Sequence, residues 1–454
     1  MKSVSEGRSF FYRHADEIRR DAESRNLYLP WSEDLSFLRG PVRVGTKIAP
    51  SRFAALPVEG RDADTGGAPT EMTFRRYRRC AAGGSGIIHF EAVAFSPQGR
   101  ASDHQMMLNG STAPRLKKLL DETKAEAERT TGHTPLCYLQ LQESGRYVHA
   151  AGMSPRLVVH CKEMDDLARV SGDAPLLTDD ALARICDQFV EAAALAYELG
   201  FDGVDVKACH RYLTSELLAA HARSGRYGGS YDNRVRMVLD MIDGVRQRVP
   251  DENYQIVSRL NLYDAIEWPY GWGVKRDSSP PEPDLEEPLK LLRRMREKGV
   301  VYVSATCGTP YGRAWVNRPF ERAIPGASPP PEHPLEGVCR GIALTAEAQK
   351  AVPEMPMSGF AYSWLREFIP NVAAGVIAEG GAAFVGLGRE LLAYPDMPRD
   401  ILEKGFVDRS KVCVTCSYCS EVMARGGVVG CFVRDREGYG EIFGAYKKGE
   451  IIGR

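Results

Sequence analysis

No stretch of the chain approaches the run of about eighteen apolar residues that a membrane span requires. The best candidate, Val372 to Ile377, is stopped by Glu379 and Gly380. The opening residues, M-K-S-V-S-E-G-R-S-F-F-Y-R, lack the apolar segment of a secretory signal. Charge of either sign is not in excess: the net value is −1, which excludes the basic footprint expected of a nucleic-acid or membrane-surface protein. No G-x-G-x-x-G fingerprint occurs, so no dedicated dinucleotide-binding Rossmann domain is indicated. Cysteine is sparse, eleven in 454 residues, too dilute for a disulfide scaffold, and the odd count fits a reducing compartment. These absences predict a cytoplasmic protein that binds neither nucleic acid nor membrane.

What is present reads as an ordinary globular protein, 43% hydrophobic and 26% charged. The length allows two or three domains, or one α/β barrel with insertions. The densest chemistry falls in Gly200 to Arg234. A short strand signal at Gly203 to Val206 is followed within six residues by Lys207, His210 and Tyr212. A helical pattern (Leu213, Leu217, Leu218) then runs to the break at Gly228-Gly229. In a β/α barrel, chemistry sits where strands end. A cation, an imidazole and a phenol at that spacing can hold a substrate oxygen and deliver a proton; a polar loop capping a helix is the plainer alternative.

This stretch resembles the fourth strand and following loop of the old yellow enzyme family, FMN-dependent ene-reductases built on a (β/α)8 barrel. Gly203, Asp205, His210, Tyr212, Leu213, Tyr227, Gly228, Gly229, Ser230, Asn233 and Arg234 match its pattern, whereas Lys207 replaces the first histidine of the family's oxygen-binding pair. A second match is A-A-F-V-G-L-G-R-E-L-L-A-Y-P-D-M-P near residue 390. The resemblance spans about residues 46 to 445 and implies strands at 52–57, 86–93, 136–141, 203–206, 255–260, 301–304, 355–359 and 383–387. It implies that Pro57, Val58 and Glu59 contact the flavin from the first strand, and that Ala92 lies beside its ring. Gln140 would meet the pyrimidine edge, and Arg259 the N1–O2 side. Ser358, Gly359, Gly388 and Arg389 would hold the phosphate. Glu59 and Glu143 depart from the family's usual residues, and a carboxylate at Glu59 would disfavour a reduced, anionic flavin.

Residues 1–45 read as an N-terminal arm with a helical segment from Tyr12 to Arg25, residues 46–405 as the barrel, and 406–454 as a cysteine-rich segment. Residues 147–180 read as a long loop forming a substrate lid. Residues 263–286 and 310–334, rich in proline, glycine and charge, read as excursions. Cys413, Cys416, Cys419 and Cys431 are spaced C-x2-C-x2-C-x11-C, and four thiols so close in a reduced protein point to a metal or cluster. Zinc and iron–sulfur both remain open on spacing; the resemblance to the dienoyl-CoA-reductase-like branch implies a 4Fe–4S cluster.

The implied activity is reduction of an activated C=C bond, with Lys207 and His210 polarising the carbonyl and Tyr212 as proton donor. Electrons would come from NAD(P)H, or through the cluster from a partner flavoprotein or ferredoxin. The chain ends about twenty residues after Cys431, so an attached reductase module is expected on another protein; a homo-oligomer is compatible with the sequence. Two rival expectations are an FMN/4Fe–4S dehydrogenase oxidising a small amine, and a barrel without catalysis acting as a binding protein. The amine-oxidising relatives attach FMN through a cysteine near the first strand, and none precedes Cys80.

Overall fold

The computed structural model describes residues 9–324 and 329–450. The expected arm, the 310–334 excursion and the C-terminal segment therefore extend outside the described residues at 1–8, 325–328 and 451–454. An antiparallel hairpin, β1 (Val42–Val44) and β2 (Lys47–Ala49), precedes eight parallel strands. These are β3 (Phe53–Ala55), β4 (Ile87–Ala94), β5 (Leu136–Gln142), β6 (Gly203–Ala208), β7 (Gln255–Tyr263), β8 (Val300–Cys307), β9 (Met357–Gly359) and β10 (Phe384–Leu387). β10 pairs back onto β3 and closes the barrel, with helices between the strands: a (β/α)8 fold.

Every residue of β4 to β7 is buried, because helices cover the outer face and side chains fill the interior. The helices start where side chains supply the missing acceptors. The Thr178 hydroxyl accepts from Ala181 N–H at the head of Asp179–Glu198, with Asp179 and Asp180 in its first turn. Ser230, directly after the Gly-Gly break, does the same for Tyr231–Arg248 through Asn233 N–H.

The hairpin was not foreseen, and it straddles the expected boundary between arm and barrel. Val44 and Ala49 join Ile87, Leu136 and Phe384, the first residues of their strands, in one buried cluster. The hairpin thus plugs the N-terminal end of the barrel, leaving the opposite end open for a site. Three other expectations change. β6 runs on to Ala208, so Lys207 lies inside the strand and not on the segment leaving it. The stretch 147–180 is not one loop: it contains a helix, Lys162–Ala168, tied down by the buried Arg146, which bonds both Asp165 and Glu216. The 310–334 excursion contains the short helix Ala314–Asn317. Among the described residues no helix is long and apolar enough to cross a membrane.

The C-terminal segment folds back over the barrel mouth. Asp435 accepts bonds from Arg75 (2.7 and 2.8 Å) and from Arg79, both on the helix Glu71–Ala81. Arg61 donates to the Met423 carbonyl at 3.1 Å, and Val429 N–H to the Gly60 carbonyl at 2.7 Å. These bonds bring the cysteines to the side of the barrel mouth.

Candidate active site

The C-terminal ends of the strands surround a cavity with about 1070 Å³ of empty space, open solvent at its mouth included. Pro57, Val58, Glu59, Ala92, Lys207, His210, Tyr212, Arg259, Gly388 and Arg389 all line it. The expected Gln140, Ser358 and Gly359 do not line it. Gln140 donates to Asp205 Oδ2 at 2.8 Å, and the same oxygen meets His89 Nδ1 at 2.9 Å, so its amide is held by the barrel interior.

Lys207 is buried at 8% exposure. Its ammonium lies 4.0 Å from the centre of the Tyr212 ring and bonds Gln142 Oε1. Burial pulls Lys207 down to about 8, helped by Arg259 and opposed by Cys209 and Glu59. The chain leaves β6 through two consecutive left-handed residues, His210 (φ +65°) and Arg211 (φ +63°). This costly turn is anchored by the buried Arg211–Asp264 ion pair (3.1 Å) and by His210 N–H donating to Asn261 Oδ1 (3.3 Å). Burial first, then Arg259 and Lys207, hold His210 well below the usual imidazole range, so the ring is neutral. Burial raises Tyr212 well above the phenol range and keeps it protonated, a donor. Its hydroxyl is 3.2 Å from that of Tyr311, whose ring stacks on Tyr147 with centroids 3.7 Å apart.

Glu59 does not stand as an isolated charge: its Oε1 is 3.4 Å from Arg61 Nε. The pairing offsets the repulsion that a carboxylate would exert on a reduced flavin.

Two residues escaped the sequence reading, Arg318 and Asn317. Arg318 lines the cavity with the expected Arg389, and each arginine keeps a buried Nη1 without a partner among the described residues. Burial, then the proximity of Arg389, push Arg318 down to about 10. Two crowded cations with unmet donors on one wall call for an anion, and FMN carries one in its phosphate. Arg259, whose Nη1 donates to the Pro57 carbonyl at 3.0 Å, also keeps a buried Nε without a partner. The residues present thus fit FMN at both ends. Asn317, beside Arg318, reaches His210 Nε2 at 2.9 Å. Asn317 ends a four-residue helix and Arg318 follows it, in a stretch without any motif, so no sequence signal marked them.

Cys419 also lines the cavity. Burial, then Glu390, Cys419 and Cys431, raise the Cys413 thiol; Cys431 is raised by burial and by Cys419 and Cys416. The four thiols therefore share one neighbourhood. Thr415 N–H donates to Cys413 Sγ at 3.4 Å and Arg434 N–H to Cys431 Sγ at 3.3 Å. Among the described residues, however, no three His, Cys, Asp or Glu side chains converge in a way that could hold a metal ion.

Residues 38–270 match the model of the NADH:flavin oxidoreductase / NADH oxidase family. The chain is similar to a metal reductase of Desulforamulus reducens, 26% identical over 411 residues, an alignment covering 89% of this chain and 54% of that protein. It spans about half the length of the curated relatives it matches. Among solved structures, a 2-naphthoyl-CoA reductase complex superposes with a TM-score of 0.68 at 22% identity, covering 89% of this chain and 58% of the other. An old yellow enzyme homologue from Zymomonas mobilis gives 0.60 at 20% identity, covering 82% of this chain and 94% of the other. At these identities the structural likeness establishes the barrel fold.

Proposed function

Because the chain belongs to the NADH:flavin oxidoreductase / NADH oxidase family, we propose that it binds FMN in the barrel mouth and reduces the activated C=C bond of an enone, enoate or enoyl thioester. One observation carries this reading: the buried ammonium of Lys207 lies 4.0 Å from the ring centre of the protonated Tyr212 on the wall of a cavity that also presents unmet arginine donors. FMN, when bound, supplies the hydride. Arg318 and Arg389 would hold its phosphate with Gly388, and Arg259 would stabilise the negative charge of its reduced ring. Pro57, Val58, Glu59 and Ala92 would wall the ring, with Gln140 behind them and Ser358 and Gly359 beside the phosphate.

Lys207 and His210 hold the substrate oxygen, and Tyr212 gives its proton to Cα. Because Lys207 brings a charge where relatives carry a neutral donor, the preferred oxygen is anionic, a carboxylate or the enolate of a thioester. In this reading Cys413, Cys416, Cys419 and Cys431 bind a 4Fe–4S cluster. Zinc held by the same four thiolates is the alternative. NAD(P)H, or a partner flavoprotein or ferredoxin acting through the cluster, would deliver electrons.

The test is a single turnover without oxygen. FMN-loaded protein, reduced by dithionite and freed of excess reductant, is mixed with enoates, enones and their saturated analogues. The flavin colour should return only with unsaturated compounds, with one saturated product per flavin. Failure of every unsaturated compound to restore the colour would sink the proposal.

A further inference from the structure

The imidazole of His210 is gripped at Nε2, 2.9 Å from Asn317 Nδ2 and 3.2 Å from Thr306 Oγ1, while among the described residues no hydrogen bond reaches Nδ1, and the residue lines the cavity. Which ring nitrogen carries the proton therefore depends on which way the Asn317 amide faces.

The backbone decides that. The same Asn317 nitrogen lies 3.1 Å from the Cys307 carbonyl, which can only accept. Turning the amide over would set Asn317 Oδ1 against that carbonyl, two acceptors in contact. The NH2 end must therefore face Cys307, and it faces Nε2 as well. The two hydrogens of Asn317 Nδ2 go to the Cys307 carbonyl and to Nε2, the second shared with Thr306 Oγ1 at 3.2 Å, whose own hydrogen is free to turn toward Nε2. An N–H on Nε2 would face the Asn317 amide donor at 2.9 Å and have only the longer contact, with the Thr306 hydroxyl at 3.2 Å, to satisfy it. Nε2 is thus the acceptor, and the ring proton belongs to Nδ1, on the side of the cavity. The backbone of His210 is locked to the same loop, since Thr309 Oγ1 donates to its carbonyl at 3.3 Å.

We propose that Asn317 is a positioning residue that fixes His210 in its Nδ1–H tautomer and so makes the ring a hydrogen-bond donor to the oxygen of the unsaturated carbonyl or carboxylate substrate. The second half rests on the function proposed above; the first does not. With the opposite tautomer, a lone pair on Nδ1 would face the substrate oxygen and repel it, leaving Lys207 as the single donor. Asn317 also explains why His210 stays neutral beside Lys207 and Arg259. An imidazolium would set an N–H on Nε2 against the Asn317 amide at 2.9 Å, with the Thr306 hydroxyl, at 3.2 Å and already shared with Asn317, as its acceptor.

The experiment is nitrogen-15 NMR of the FMN-loaded protein labelled in its histidine rings, with the His210 signals assigned by their loss in His210→Asn. The wild type should show a protonated Nδ1 and a bare Nε2, unchanged from about pH 5 to 8. Asn317→Asp, nearly the same in shape, replaces the donor with a carboxylate. In that variant the proton should move to Nε2 or the ring should titrate within the same range. Its kcat/KM for an unsaturated substrate should fall about tenfold or more, with a new pH dependence. A wild-type ring protonated on Nε2 would overturn the proposal without need of any variant, as would an Asn317→Asp protein that keeps the wild-type tautomer and kcat/KM. If the tautomer behaves as stated but no unsaturated compound is reduced, the reading of the reaction fails while the role of Asn317 in setting the tautomer stands.

Discussion

The ammonium of Lys207 lies 4.0 Å from the centre of the Tyr212 ring, so the group proposed to hold the substrate oxygen and the group proposed to protonate the neighbouring carbon are one packed unit. Attraction between cation and ring orients both. Lys207 is further braced by Gln142 and by its place inside β6. A charge in that position should show itself in substrate choice.

Lys207→Met should lower kcat/KM for an enoate by about tenfold or more, the scale of a lost hydrogen bond to a charged group, and affect a neutral enone less. The pH dependence follows from the sign of the shift. Lys207 is brought down to about 8, so it is charged below that value and loses its proton above it. Activity on the anionic substrate should hold level below about pH 8 and fall above it; Lys207→Met should lack this break. Steady-state kinetics on an enoate and enone pair, across pH, checks both.

Tyr212→Phe should keep flavin and substrate affinity while slowing turnover by about 10²- to 10⁴-fold, the usual worth of a positioned proton donor. Rapid-reaction measurement of flavin reoxidation by substrate reads the effect directly. A variant as fast as the wild type would move the proton source elsewhere, with Tyr311 as the nearest phenol (3.2 Å).

The pair Arg318 and Arg389 should discriminate by phosphate. Arg318→Ala is expected to weaken FMN binding by about tenfold or more and leave riboflavin binding nearly unchanged. Titrating the unloaded protein with each flavin by fluorescence quenching separates the two. Equal losses for both would place Arg318 outside the phosphate site.

Arg146→Met should destabilise the fold by about 3–5 kcal/mol, because it strands Glu216 in the interior after removing its partner. Denaturant unfolding measures the loss. Limited proteolysis should then cut within 147–180, where Arg146 holds Asp165 and the Val159 carbonyl (2.9 Å).

Much of this was legible in the chain. The eight strands were placed by the resemblance to the family, and cavity-lining residues at their ends, Lys207, Arg259 and Gly388-Arg389, fall within the segments that carry it. Strand ends were less legible: β6 carries Lys207 as a buried interior residue, and a lysine reads as the start of a loop in any pattern of hydrophobicity. The hairpin β1–β2 is three residues per strand, too short for a period-two pattern to register. Asn317 and Arg318 act through distances across the barrel mouth from β6 and β10, in a stretch whose composition suggests only a surface excursion. The neutralising contact of Arg61 with Glu59 likewise depends on a left-handed turn at Arg61 (φ +50°) that its residue type does not announce.

The most direct test of the account is the visible absorption spectrum of protein purified without oxygen and supplied with FMN, before and after dithionite, alongside iron and sulfide assays. Flavin bands over a broad shoulder, all bleached by dithionite, with about four irons per chain, are the predicted result. A colourless protein that takes up no FMN would contradict the account at its centre; flavin bands without iron would retain the barrel site and remove the cluster.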